Sequence, residues 1–93
     1  MRVSEEVTRQ LRDGARRGRK PSELLRSLAA TPEGAYGSFL VFAFRAAFGV
    51  PLRELTLIGG WSPTGGEITD ARIDEELGAA IAASRAHWDT EDK

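Results

Sequence analysis

The chain has 93 residues, of which 41% are hydrophobic and 29% are charged, and its formal net charge is −1. This length and composition predict one globular domain over residues 1–93 and argue against an intrinsically disordered chain. The absence of cysteine excludes disulfides and cysteine-ligated metal sites, and a single histidine, His87, makes a structural zinc site unexpected. We therefore predict no metal and no cofactor.

The first helix is predicted over residues 4–17. Ser4 suits the N-cap, and Val7 and Leu11 begin a narrow apolar stripe at a spacing of one helical turn. A short second helix is predicted over residues 22–30. It ends before Pro32, because the residue preceding a proline avoids the helical region.

The third helix is predicted to be the centre of the fold. Thr31 suits its N-cap, Pro32 its first helical position, and Glu33 its first turn. From residue 39 to residue 48 the sequence is apolar almost all round, which is typical of a buried helix. Gly49 is placed for a left-handed C-terminal cap.

The second half of the chain predicts one short and one long helix. The short helix covers residues 51–58, with a strand over residues 55–58 as the main alternative. A glycine-rich loop over residues 59–66 either exposes Trp61 or lets it fold back onto the core. The last helix starts at Thr69 or Asp70 and runs to about Trp88, and residues 89–93 form a frayed tail. The fold class is thus all-α, a compact bundle of about five helices, two of them short, around a central apolar helix.

No segment of the sequence is predicted to enter a membrane. The first ten residues lack the apolar region of a signal peptide, and no apolar run reaches the roughly 18–20 residues of a membrane-spanning helix. We therefore predict a cytoplasmic protein. No catalytic arrangement is evident either, because His87 lies near a predicted helix end without a suitably spaced serine and carboxylate. The chain is predicted not to be an enzyme.

The glycine-rich loop and the acidic start of the last helix predict a partner-binding surface. Trp61 suits an interface anchor, because tryptophan is enriched among residues that dominate binding energies. Glu67, Asp70 and Asp74 would surround it with negative charge. The alternatives are that Trp61 folds back onto the core and that the acidic residues only favour the helix N-terminus.

Arg45 is the second candidate for partner binding. It lies in the middle of the apolar third helix, and its neighbours one turn away include Phe42 and Phe48. Either it is paired with Glu33, Glu54 or an acidic residue of the last helix, or its long stem carries the charge out to solvent, or it faces a partner. We expect the partner to be another protein.

An alternative function is nucleic-acid binding by the first helix. Residues 1–26 hold eight basic and four acidic side chains, whereas the rest of the chain holds five basic and ten acidic ones. Arg9, Arg12, Arg16 and Arg19 recur on one predicted helical face, as phosphate contacts require. Against this, the sequence pI is about 5.8.

In its size, predicted helicity and charge asymmetry the chain resembles the immunity proteins of bacterial toxin systems. This resemblance implies a helical, non-catalytic protein that binds and inhibits a toxin. It assigns no residue a role, because that type of protein has no common motif.

Overall fold

The computed structural model describes residues 3–32, 34 and 37–91, the side chain of residue 91 excepted. This part of the chain is all-α, as predicted, and no strand lies in it. It holds six α-helices and a 3₁₀ helix, which follow one another in this order: α1 Glu5–Arg16, α2 Pro21–Ala29, α3 Gly37–Phe48, α4 Leu52–Leu55, the 3₁₀ helix Thr56–Gly60, α5 Asp70–Ala83 and α6 Arg85–Glu91.

The predicted caps of the long helices are present. The Ser4 hydroxyl accepts a hydrogen bond from Val7 N at 3.2 Å and starts α1. The Thr69 hydroxyl accepts one from Arg72 N at 3.2 Å and starts α5. After α3, Gly49 adopts a φ of +64° and its N–H donates to the Arg45 carbonyl, as a left-handed C-cap does. Short-range polar signals therefore fix where these helices begin and end.

The third helix begins later than the sequence predicts. Thr31 accepts a hydrogen bond from Gly34 N as an N-cap would, but its hydroxyl also donates to the Leu28 carbonyl at 2.6 Å and so closes the end of α2. The continuous helix starts at Gly37. Glu33, placed in the predicted first turn, lies outside the described residues, as do residues 35 and 36.

The predicted last helix is two helices, α5 and α6, separated at Ser84. The Ser84 hydroxyl donates to the Phe48 carbonyl at 2.8 Å, which ties this break to the end of α3. Trp88 Nε1 then donates back to the Ile81 carbonyl at 3.0 Å. Residues 89–91, predicted to fray, belong to α6. The strand alternative for residues 55–58 was wrong, because these residues are helical.

The core lies where α3 packs against α1 on one side and against α4, the 3₁₀ helix and α6 on the others, with α2 against α5. Phe48 is fully buried and makes edge-to-face contacts with Phe44 at 5.4 Å and Trp88 at 5.2 Å between ring centroids. Such pairs contribute about 0.5–1.5 kcal/mol beyond area burial. Ile73, Leu77 and Ile81 bury the predicted stripe of α5. The C-terminal helices are thereby held against α3 and α2.

Candidate protein-binding surface

Trp61 is a core residue, so the predicted exposed anchor was wrong. Trp61 is the residue directly after the 3₁₀ helix, and only 6% of its surface is exposed. The indole Nε1–H donates to Asp70 Oδ1 at 2.7 Å. The Arg26 guanidinium lies 5.4 Å from the ring centroid. A tryptophan with a buried ring and a satisfied N–H stabilises the fold, and it offers little surface to a partner.

The acidic residues at the start of α5 are used mainly inside the molecule. Asp70 also accepts a hydrogen bond from Arg26 Nη1 at 2.6 Å. Its bond from Trp61, and then that from Arg26, hold the pKa of Asp70 below its ordinary value. Asp74 Oδ1 accepts a bond from Ser22 N at 2.9 Å and so caps the N-terminus of α2. Of the predicted acidic set, Glu67 is an exposed residue, whereas Asp70 and Asp74 are partly buried.

Arg45 lies on the solvent side of α3, so it is neither buried nor paired. Within the described residues it has no hydrogen bond or ion pair. Phe42, one turn before it, is 45% exposed, and Ser38 and Ala46 are exposed on the same side. These four residues form what we call the Phe42 face. The prediction that α3 is buried all round was therefore wrong, because only one half of its circumference packs.

A second exposed apolar side chain follows directly after α3. Leu52 is the first residue of α4, a helix that packs against α3, and Leu52 itself is 47% exposed. Phe42 and Leu52 are the large hydrophobic residues that the described part of the chain leaves exposed. Arg53, next to Leu52, is exposed as well. α3 thus exposes an aromatic side chain beside a positive charge, and α4 exposes an aliphatic side chain followed by one positive and one negative charge, Arg53 and Glu54.

The predicted phosphate-binding face of α1 is interrupted. Arg12 is buried, and its Nε donates to the Ala47 carbonyl at 2.7 Å at the C-terminus of α3. Arg16 binds Asp89 Oδ1 at 2.6 Å and lies over the Trp88 ring. Arg9 and Arg19 are the two predicted arginines that stay exposed. A continuous row of four phosphate contacts is therefore not available.

Three further predictions concern catalysis, metal binding and membrane insertion. His87 is exposed on α6. Across residues 3–32, 34 and 37–91, no group of three or more metal-ligating side chains is close enough together to hold an ion. No helix in the same ranges has the length and apolarity that crossing a membrane requires.

Comparison with protein-family models, curated proteins and solved structures found no match. A proposal of function therefore rests on the side chains that the described residues expose. Sequence reasoning missed Phe42 as an exposed residue, although a signal was present: Arg45 lies one turn from it and marks the side of α3 that faces solvent. It also missed Arg12 as the capping residue of α3, since a contact across 35 positions leaves no local pattern.

Proposed function

We propose that the protein is a non-catalytic protein-binding module and that its partner docks on the Phe42 face. The observation that supports this most is the exposure of Phe42. The three other phenylalanines are 5% exposed or less, so this fold is able to bury such rings. Transferring a phenylalanine side chain from water to an apolar contact is favourable by about 1.5–3 kcal/mol.

Arg45 supports a partner surface that is apolar and acidic. Interface cores are enriched in aromatic residues and arginine, and arginine pairs with carboxylates through two parallel hydrogen bonds. Because Arg45 has no partner within the described residues, it is available for such a pair. A carboxylate opposite Arg45 and an apolar pocket for Phe42 would together define the partner's site.

A different protein fits this face better than a second copy of the chain. In a symmetric dimer the same patch meets itself, so an interface centred on Phe42 would cover two Arg45 side chains while the Phe42 face supplies no carboxylate to pair with either. Like charges at an interface are unfavourable. In its narrower form the proposal is that the partner is a bacterial toxin domain, which rests on the resemblance to immunity proteins. The charge of Arg45 then favours an acidic apolar surface of the toxin over a basic catalytic cleft.

The experiment compares the affinity of a purified partner for variants of the face. We expect Phe42→Ala and Arg45→Glu each to weaken binding by at least about tenfold, as central interface residues do. The melting temperature should stay nearly constant, because both side chains are exposed. Arg9→Glu, an equal charge reversal at an exposed site on α1, is the matched control. Equal affinity in all variants would place the interface elsewhere.

Nucleic-acid binding remains the alternative function, with a smaller set of residues. Its support is the exposure of Arg9, Arg17, Arg19 and Lys20 around the end of α1. The internal contacts of Arg12 and Arg16 count against it. Its test is a titration of labelled duplex DNA with the protein.

A further inference from the structure

A cleft of about 400 Å³ opens between α1 and α2, and no residue of the Phe42 face lines it. Its floor is apolar and consists of Leu11, Leu24 and Leu28, each 5% exposed or less. Gly14 of α1 lies directly against Leu24 of α2. A Cβ built there would lie 2.5 Å from Leu24 Cδ2 and 3.5 Å from Arg19 Cδ. The packing of Leu24 therefore depends on the missing side chain at residue 14, whereas the Arg19 stem would stand at an ordinary van der Waals distance.

Most polar side chains at the rim of the cleft are already bonded within the protein. Each donates to or accepts from a neighbouring group on α1 or α2. These rim residues are Gln10, Asp13, Ser27 and Thr31. They leave little unmet hydrogen-bonding capacity for a ligand.

Arg17 and Arg19 are the exception. Both line the cleft at the end where α1 leads into α2, and both are exposed. Neither guanidinium has a hydrogen bond or an ion pair within the described residues. The cleft thus offers two unneutralised cations at one end and leucine side chains beneath.

We propose that this cleft binds a small anionic amphiphile: a carboxylate held by Arg17 and Arg19, attached to an aliphatic or aromatic body that lies over the leucine floor. Its volume falls within the roughly 300–1,000 Å³ typical of small-molecule sites, which are mostly apolar with a few placed polar groups. Guanidinium groups suit a planar carboxylate because they donate two parallel hydrogen bonds. A nucleic acid would use the two charges and leave the apolar floor without a role.

Decanoate, titrated below its micellar concentration, is the probe for this site. We expect saturable shifts of the methyl NMR signals of Val7, Leu11, Leu24 and Leu28. Decanol, which has the same chain without the charge, should bind at least tenfold more weakly. Inorganic phosphate, which has charge without the chain, should shift these methyl signals little.

Two variants of different kind locate the ligand. The double substitution Arg17→Gln with Arg19→Gln should weaken decanoate binding at least tenfold without lowering the melting temperature. Ser27→Trp should block the cleft by volume while leaving both charges in place. Arg9→Gln, an exposed arginine of α1 that does not line the cleft, is the control and should bind decanoate normally.

Four results would overturn the proposal. One is the absence of methyl shifts with decanoate at millimolar concentration. A second is equal binding of decanol, which would show a site without charge selection. A third is phosphate binding as tight as that of decanoate, which would show a simple anion site. The fourth is decanoate binding that survives in both the double arginine variant and Ser27→Trp.

Discussion

At the residue scale, arginines link parts of the chain that lie far apart in sequence. Arg12, Arg16 and Arg26 bond acceptors that are 35, 73 and 44 residues away. Arg12 is the most buried of the three, and its acceptors are backbone carbonyls at the end of α3. A positive charge at a helix C-terminus also interacts favourably with the helix dipole. These arginines therefore contribute to folding, and their charge is only partly available for binding.

Removal of the Arg12 guanidinium should destabilise the protein measurably. Arg12→Met keeps much of the apolar stem but leaves the Ala47 carbonyl without this donor. Hydrogen bonds that involve a charged group contribute about 1.5–3 kcal/mol, so we expect a loss of about 2 kcal/mol in the free energy of unfolding. Urea denaturation measures it. The same substitution at exposed Arg9 should change stability by less than about 0.5 kcal/mol. Equal losses at both positions would contradict the capping role of Arg12.

Asp70 should make the stability of the loop around Trp61 depend on pH. Its folded pKa lies below the unfolded one, because the charged form is favoured by Trp61 Nε1 and Arg26. The stabilisation is therefore complete above the unfolded pKa and is lost as the pH falls through the folded pKa. Wild type should be more stable than Asp70→Asn at neutral pH, and this difference should shrink as the pH falls below about 4. Chemical denaturation across that range tests it, and a constant difference would argue against a role of the charge.

At the scale of elements, α6 packs on the core through one aromatic side chain, Trp88. Trp88 is 2% exposed, packs edge-to-face on Phe48, and donates its indole N–H to the Ile81 carbonyl. The Arg16 and Arg85 guanidinium groups lie 5.6 and 5.8 Å from its ring centroid. Because α6 has seven residues, it is too short to be stable as an isolated helix and depends on this docking.

A two-step substitution series at Trp88 should separate its ring from its hydrogen bond. Trp88→Phe keeps an aromatic ring on Phe48 and removes the donor to Ile81, so we expect a loss of about 1–3 kcal/mol. Trp88→Ala removes the ring as well and should cost about 3–5 kcal/mol. In Trp88→Ala, amide hydrogen exchange in residues 85–91 should become faster than the exchange that occurs through global unfolding. Similar losses for both variants would show that the ring contributes little.

The sequence predicted the elements better than it predicted their surfaces. Ser4, Thr69 and Gly49 act through bonds within one turn, so their local pattern was sufficient to predict the ends of α1, α3 and α5. The break at Ser84 was missed, because its cause is a bond to the Phe48 carbonyl across 36 positions. The burial of Trp61 was missed for the same reason. A tryptophan in a glycine-rich loop is expected to be exposed, and only the tertiary fold brings Arg26 over its ring.

At the scale of the whole molecule, folding brings the basic start of the chain onto its acidic end. Arg16 binds Asp89, Arg26 binds Asp70, and the N-terminus of α2 is capped by Asp74. The charge asymmetry along the sequence is therefore partly neutralised within the fold. Exposed pairs of this kind contribute only about 0–1 kcal/mol each, so their main effect is on the surface potential.

This arrangement predicts weak binding to duplex DNA. A protein that neutralises four phosphates shows a slope of about −3.6 in a plot of log K against log salt, because each contact contributes about −0.9. With Arg12 and Arg16 held inside, we expect no detectable binding at about physiological salt. At low salt the slope should be much shallower, since Arg9 and Arg19 are the exposed members of the predicted row. Fluorescence anisotropy of labelled DNA provides the measurement.

The same titration with substituted protein distinguishes the two functions. Arg9→Glu combined with Arg19→Glu should remove whatever binding appears at low salt, whereas Arg45→Glu on α3 should leave it unchanged. If the unsubstituted protein instead bound DNA tightly with a slope near −3.6, either Arg17 and Lys20 would join Arg9 and Arg19 in contacting phosphates, or the internal contacts of Arg12 and Arg16 would open on binding. Nucleic-acid recognition by α1 would then replace the Phe42 face as the better account of what this protein does.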